Sequence, residues 1–167
     1  AEEICGVVEE DRPPGVRLRV ERCVMALPID ADPLHLRHGV FNLVMNAFES
    51  MRESPGEVLV ETGARRLDPE TMTGLVHGQD EPPGDFAYLR VSDEGGGMDP
   101  DTEERAFEPF FSTRHKGRGE GLSTVLGLAR THDGLIALDN QPGRGCTFTL
   151  YLPLIDDAEL DETVRGH

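Results

Sequence analysis

The chain has 167 residues, enough for one domain with a sizeable core and too few for two. Its 32 acidic against 16 basic residues give a formal charge of −16, which excludes a nucleic-acid or anionic-membrane surface, because neutralising phosphates takes clustered Lys and Arg. Three widely spaced cysteines, Cys5, Cys23 and Cys146, without C-x-x-C spacing, argue against a disulfide framework or a zinc site and fit a reducing, cytoplasmic compartment.

Residues 1–12 are expected to hold a short helix, ended by Arg12, Pro13, Pro14 and Gly15, after which 16–20 alternate apolar and charged as a half-buried strand does. Asp32 is a good N-cap with Pro33 at the first helical position, and Leu36, Val40, Leu43, Val44, Ala47 and Met51 follow at helical spacing to about Arg52. Ser54, Pro55 and Gly56 stop that helix. Residues 57–62 read as the next strand, and 68–85, polar with Pro and Gly, as a surface loop. Residues 86–91 form a third strand that delivers Ser92 and Asp93 to its carboxyl end, and 99–106 a short helix.

A helix over 122–132 ends at Gly134, and strands 135–139 and 146–152 around a turn at Pro142 and Gly143 make a terminal hairpin. The division is thus a domain over 1–153 and an acidic tail or linker over 154–167. Helices and antiparallel strands without βαβ alternation predict an α+β, two-layer sandwich. No apolar run approaches the ~18 residues that cross a bilayer, and no basic-then-apolar signal follows Ala1, so any membrane tether is expected outside these residues.

Several residue groups carry chemistry. Asn42 and Asn46 lie i, i+4 on one helix face, where an amide oxygen is a hard ligand suited to magnesium; capping or bridging helices is the structural alternative. Asp93 is followed by Gly95 and Gly97. A carboxylate there accepts a hydrogen bond from an exocyclic amine such as that of adenine, and the alternative is a turn-forming Asp. Gly117, Gly119 and Gly121 precede a helix start, whose free amides favour phosphate, although a glycine-rich stretch also serves as a linker. Arg114, His115, Lys116 and Arg118 form a local basic exception to the acidic chain, or a solvated surface. Phe107, Phe110 and Phe111 are either a core plug or the anchor of a mobile lid.

In this order the residues resemble the ATP-binding catalytic domain of sensor histidine kinases, within the superfamily of DNA gyrase B, the Hsp90 chaperone, MutL and histidine kinases. The resemblance covers roughly residues 16–153. Residues 42–47 resemble the N box, 93–97 the first glycine box, 107–113 the F box, 117–122 the second glycine box and 145–153 the closing strand. The Glu-Pro-Phe-Phe-Ser-Thr wording of 108–113 is similar to the nitrogen-regulation type of sensor kinase and its hybrid relatives.

The resemblance implies a Bergerat-type fold, a mixed, mostly antiparallel sheet covered by helices on one face, with Mg-ATP held under a lid. It implies that Asn46 ligates Mg2+, that Asn42 assists at the phosphates, and that Asp93 reads the adenine amine with Thr147 supporting through water. Gly95, Gly97, Gly119, Gly121 and Leu122 would admit the nucleotide, and Lys116 or Arg114 would neutralise phosphate charge; Asn42, Asn46 and Lys116 are the catalytic candidates. The hydrolytic branch has a Glu one turn before the magnesium Asn, where this chain has Asn42. An amide is no general base, so the γ-phosphate is kept for a histidine imidazole.

Two departures stand out. Arg118 and Glu120 occupy variable places of the second glycine box, and the stretch to Ser123 is shorter than the usual lid, so either the lid is truncated or part of it is missing from the chain. Nothing in the sequence resembles the phosphoacceptor helix of these kinases, and His35, His38, His77, His115, His132 and His167 lack its motif. The implied partners are a histidine-containing dimerisation and phosphotransfer domain of a homodimeric parent kinase and a downstream response-regulator receiver domain. Alternatives are a nucleotide-binding module with a degenerate lid and no transfer, or an anti-sigma-type protein-serine kinase or ATPase.

Overall fold

The structure, a computed structural model, describes residues 6–109 and 121–156. One mixed sheet orders its strands β1-β2-β3-β5-β4. β1 (Val16–Glu21) runs parallel to β2 (Gly56–Leu67), while β3 (Gly84–Asp93), β5 (Gly145–Pro153) and β4 (Leu135–Gln141) continue antiparallel. Two long helices, α1 (Pro33–Ser50) and α4 (Gly121–Thr131), cover one face. This is the expected α+β sandwich.

Alternation decides which side chains meet the helices. Leu89 and Val91 of β3 point the same way as Val58 and Val60 of β2 and Phe148 and Leu150 of β5, and pack with Leu43, Val44, Phe48, Val125 and Leu128 from the helices. The helices are tied to each other as well. His132, just past α4, accepts the backbone N–H of Asp32 at Nε2, 3.1 Å away, where α1 begins.

The described helices that have a cap begin with the same pair, Asp then Pro. Asp32 accepts the Leu34 and His35 N–H groups at 2.8 and 3.2 Å, Asp68 accepts Thr71 N–H at 2.7 Å, and Asp99 accepts Thr102 N–H at 2.8 Å. Pro follows at N1, where its missing N–H costs nothing. The same bonds stabilise the ionised form and lower all three carboxyl pKa values.

Two expectations need correction. The segment expected as a surface loop over 68–85 folds across the far face of the sheet. It forms α2 (Pro69–Met72) and buries Met72 and Leu75 against Leu67, Phe86, Leu135 and Tyr151. His77 then pairs with Ile136 on the edge strand β4. The cause is an apolar patch on that face which water would otherwise meet, and a polar composition hid the two residues that cover it. β2 is also longer than expected, because 64–67 stay paired with 84–87 of β3. Between Asp93 and α4 lies α3 (Pro100–Arg105), the short helix expected there. The N-terminal helix is a short helical stretch at 6–8 followed by a 3-10 turn, Glu9–Asp11.

Candidate functional site

The site assembles at the carboxyl end of β3, where the strand stops pairing and α1 passes over it. Asp93, only 8% exposed, is the buried acidic residue at that tip. Its Oδ1 accepts Ser50 Oγ–H at 3.1 Å and the Gly95 N–H at 2.9 Å, so the carboxylate is fixed both to the last turn of α1 and to its own loop. Burying a carboxylate costs stability unless such bonds compensate. Two of them orient it.

Ser50 lies one further turn along the face that carries Asn42 and Asn46, since 42, 46 and 50 are spaced i, i+4, i+8. Both Asn residues are half-buried at the margin of the core formed by Leu43, Val44 and Ala47. Gly121, the first residue of α4, stands beside Asn42: a Cβ there would lie 3.6 Å from Asn42 Oδ1. The N box and the end of the second glycine box therefore meet. Leu122 is buried in the main core, so it anchors the start of α4.

The loop after Asp93 sits tightly on the β4–β5 turn. Gly97 has φ +69° and a Cβ on it would come 2.6 Å from the Gln141 carbonyl oxygen, so no other residue fits without moving the turn. Gly95 packs on Ser50, where a Cβ would meet Oγ at 2.1 Å. Gly143 donates its N–H to the Gly96 carbonyl at 2.6 Å.

Thr147, expected to support Asp93, faces away from it. It pairs in register with Ser92, donates to Ser92 Oγ at 3.0 Å, and so faces the opposite side of the sheet. The neighbouring Cys146 lies on the Asp93 side. It is 6% exposed and belongs to the helix-facing core. Burial, with Asp93, Glu103 and Asp139 nearby, pushes its thiol up to about 12. The reason for the slip is period two: reading one residue along a strand changes the face.

Arg114, Lys116 and Gly119, with Phe110, Phe111, His115, Arg118 and Glu120, lie outside the described residues. Phe107 is half-buried, its ring edge-on to Phe148 at 6.1 Å between centroids. That is the core-plug arrangement. Three contributors escaped the sequence reading: Ser50, Cys146 and Asn140, whose side chain contacts Met98. Only Ser50 carried a readable signal, the third polar place on the Asn42 and Asn46 stripe.

Among the described residues no three His, Cys, Asp or Glu side chains gather as a metal cluster. The fit to magnesium rests instead on donor chemistry: one hard amide oxygen at Asn46, a turn along the helix face from Asn42, which stands beside the start of α4, suits an ion that takes few protein ligands and completes its shell with phosphates and water. No described helix is long and apolar enough to cross a membrane.

Comparison with known proteins agrees with this fold. Over 150 residues the chain is 33% identical to the sensor kinase CckA of Brucella abortus (strain 2308), covering 88% of this chain and 15% of that relative. Among solved structures, the mycobacterial sensor histidine kinase MprB superposes with TM-score 0.65 at 25% identity, covering 92% of this chain and 91% of that one. Full-length ShkA in complex with AMPPNP superposes with TM-score 0.67 at 24% identity, over 92% of this chain and 29% of ShkA, a likeness of fold. The chain spans only a small part of the curated relatives it matches, 15% of CckA and 23% of the Salmonella typhi sensor histidine kinase ZraS. Matched over residues 31–156 by the model for histidine kinase-, DNA gyrase B- and HSP90-like ATPases, the chain belongs to that family, in the company of sensor histidine kinases.

Proposed function

We propose that this chain binds Mg-ATP and transfers its γ-phosphate to a histidine on a separate dimerisation and phosphotransfer domain, as the catalytic domain of a cytoplasmic sensor-kinase module. The observation that carries the reading is the convergence of Asp93, Ser50, Asn46, Asn42 and the start of α4 on one side of the sheet. Asp93, already oriented by Ser50 and Gly95, accepts the adenine exocyclic amine. Guanine presents a carbonyl at that place, and a carboxylate repels it. Asn46 holds Mg2+, which when bound neutralises charge on the phosphates. Asn42 and the backbone N–H groups at the start of α4 meet the phosphate chain. Arg114 and Lys116 supply further positive charge, with Gly119 allowing the backbone to approach.

Catalysis on this reading is positioning with charge neutralisation, and the nucleophile comes from outside the chain. Asn42 supports transfer over hydrolysis: its amide does not take a proton from water. AMPPNP in the ShkA complex and the sensor kinases among the relatives point the same way. The parent is expected to be a homodimer that hands the phosphate on to a response-regulator receiver domain.

The test is calorimetric titration with ATP and GTP, each with and without magnesium, followed by transfer of labelled phosphate to a supplied acceptor domain. Adenine-selective, magnesium-dependent binding with acid-labile phosphohistidine is the expected result. Tight binding without transfer to any acceptor would leave a nucleotide-binding module, and phosphoserine on the partner would replace the histidine assignment.

A further inference from the structure

The side chain of Asn140, on β4, makes four hydrogen bonds, and three of them hold the loop and helix that follow Asp93. Its Oδ1 accepts the Met98 N–H at 2.8 Å and its Nδ2 donates to the Met98 carbonyl at 2.7 Å, so the amide pairs with one residue's backbone as a neighbouring strand would. The second Nδ2 hydrogen goes to Glu103 Oε2 at 2.8 Å, on α3. The second Oδ1 place takes Cys146 Sγ–H at 3.2 Å. A carboxamide has two donors and two acceptor places, and here all four are used. No other side chain of that size offers the same set: Asp lacks donors, and Ser is too short to reach both Met98 groups.

Met98 directly follows Gly97, whose positive φ and contact with Gln141 fix the chain immediately before it. The Gly143 N–H on the Gly96 carbonyl is a further tie from the same hairpin. The 94–98 loop is therefore held at its start by Asp93 and at its end by Asn140. Between these two anchors it forms the surface on which a base lies if Asp93 reads adenine.

We infer that Asn140 is a positioning residue for the base-binding loop: by clamping both backbone groups of Met98, it holds Gly95 and Gly97 at the level Asp93 requires. It touches no ligand and sets adenine affinity through the loop. The inference rests on the ATP reading for its consequence, and on the Met98 bonds alone for the clamp.

The experiment compares wild type, Asn140→Ala and the near-isosteric Asn140→Asp, all verified as folded by thermal melting. Amide hydrogen exchange at Met98 is followed without ligand, and ATP is titrated with and without magnesium. Asn140→Ala should speed Met98 exchange about tenfold, the loss of one net hydrogen bond, while Asn140→Asp, which still accepts from the N–H, should keep most of the protection. Both should weaken ATP about tenfold, by the same factor with and without magnesium, since the loss lies at the base. Unchanged Met98 exchange in Asn140→Ala overturns the clamp. Wild-type ATP affinity, or a loss confined to the magnesium-dependent part, overturns its role in base binding. If wild type binds no ATP while Met98 exchange still responds, the ATP reading fails and the clamp stands.

Discussion

β3 has two ends with opposite chemistry. At its start Phe86 joins Tyr151, Leu67, Met72, Leu75 and Leu135 in an apolar cluster on the far face, closed by the folded 68–83 segment. At its finish Asp93 is buried by hydrogen bonds to Ser50 and Gly95. One end gains from excluding water and the other is stabilised by directed bonds, so stability and ligand binding should separate along a single strand. Truncation at the apolar end carries the largest expected effect. Phe86→Ala should cost about 3–5 kcal/mol of unfolding free energy by denaturant titration, with ATP affinity of the folded fraction unchanged. A matching loss of affinity would show that the two ends are coupled.

Asp93→Asn turns the comparison round. It keeps the shape and, through its carbonyl oxygen, the place that accepts Ser50 and Gly95, but it removes the charge offered to the adenine amine. ATP binding should fall by about 1.5–3 kcal/mol, the worth of a charged hydrogen bond, with little change in melting temperature. An affinity equal to wild type would take Asp93 out of the site.

These ends differed in how far the sequence betrayed them. Asp93 was legible as a candidate because it is the acidic residue at the end of an apolar strand, just before a run of glycines, a place that suits a ligand or a turn, and α1 because the Asp32-Pro33 start and the helical apolar spacing agree. The cover of the other end was not. Asp68-Pro69 is the same start signal as Asp32-Pro33, yet the helix after it is four residues long and its apolar partners, Leu67, Met72 and Leu75, show no period. Their reason to order lies on β3, β4 and β5, which a local reading does not join. Cys146 and Asn140 were hidden for a similar reason. The face of Cys146 depends on the β3–β5 register, and three of the four bonds of Asn140 depend on a loop and helix some 40 residues earlier in the chain.

The polar end itself divides into a base part and a phosphate part, which a smaller effect can sharpen. Asn46→Ala removes one amide oxygen from the half-buried stripe and should lower ATP affinity by about 1 kcal/mol, only when magnesium is present. The same loss in EDTA would contradict metal ligation. Titrations of Asp93→Asn and Asn46→Ala, with and without the ion, should therefore give opposite patterns.

Cys146 offers the finest test, because it stands at the polar end but is buried as an apolar residue is. Its thiol, pushed up to about 12 by burial and by the carboxylates of Asp93, Glu103 and Asp139, stays protonated in the folded chain, whereas unfolding returns it to an ordinary cysteine value of about 8.5. Between those values the folded state binds the extra proton, so this contribution to stability is complete below about pH 8 and declines as pH rises through 9 and above. The difference in unfolding free energy between wild type and Cys146→Ser should accordingly change with pH from 8 to 10 and be level from 6 to 8. Alkylation at pH 8, read by peptide mass, should reach half-exposed Cys23 well before Cys146. Rapid labelling of Cys146 in folded protein would mean that β5 opens beside Asp93, and that the directed bonds at this end hold the strand less firmly than the apolar cluster holds the other.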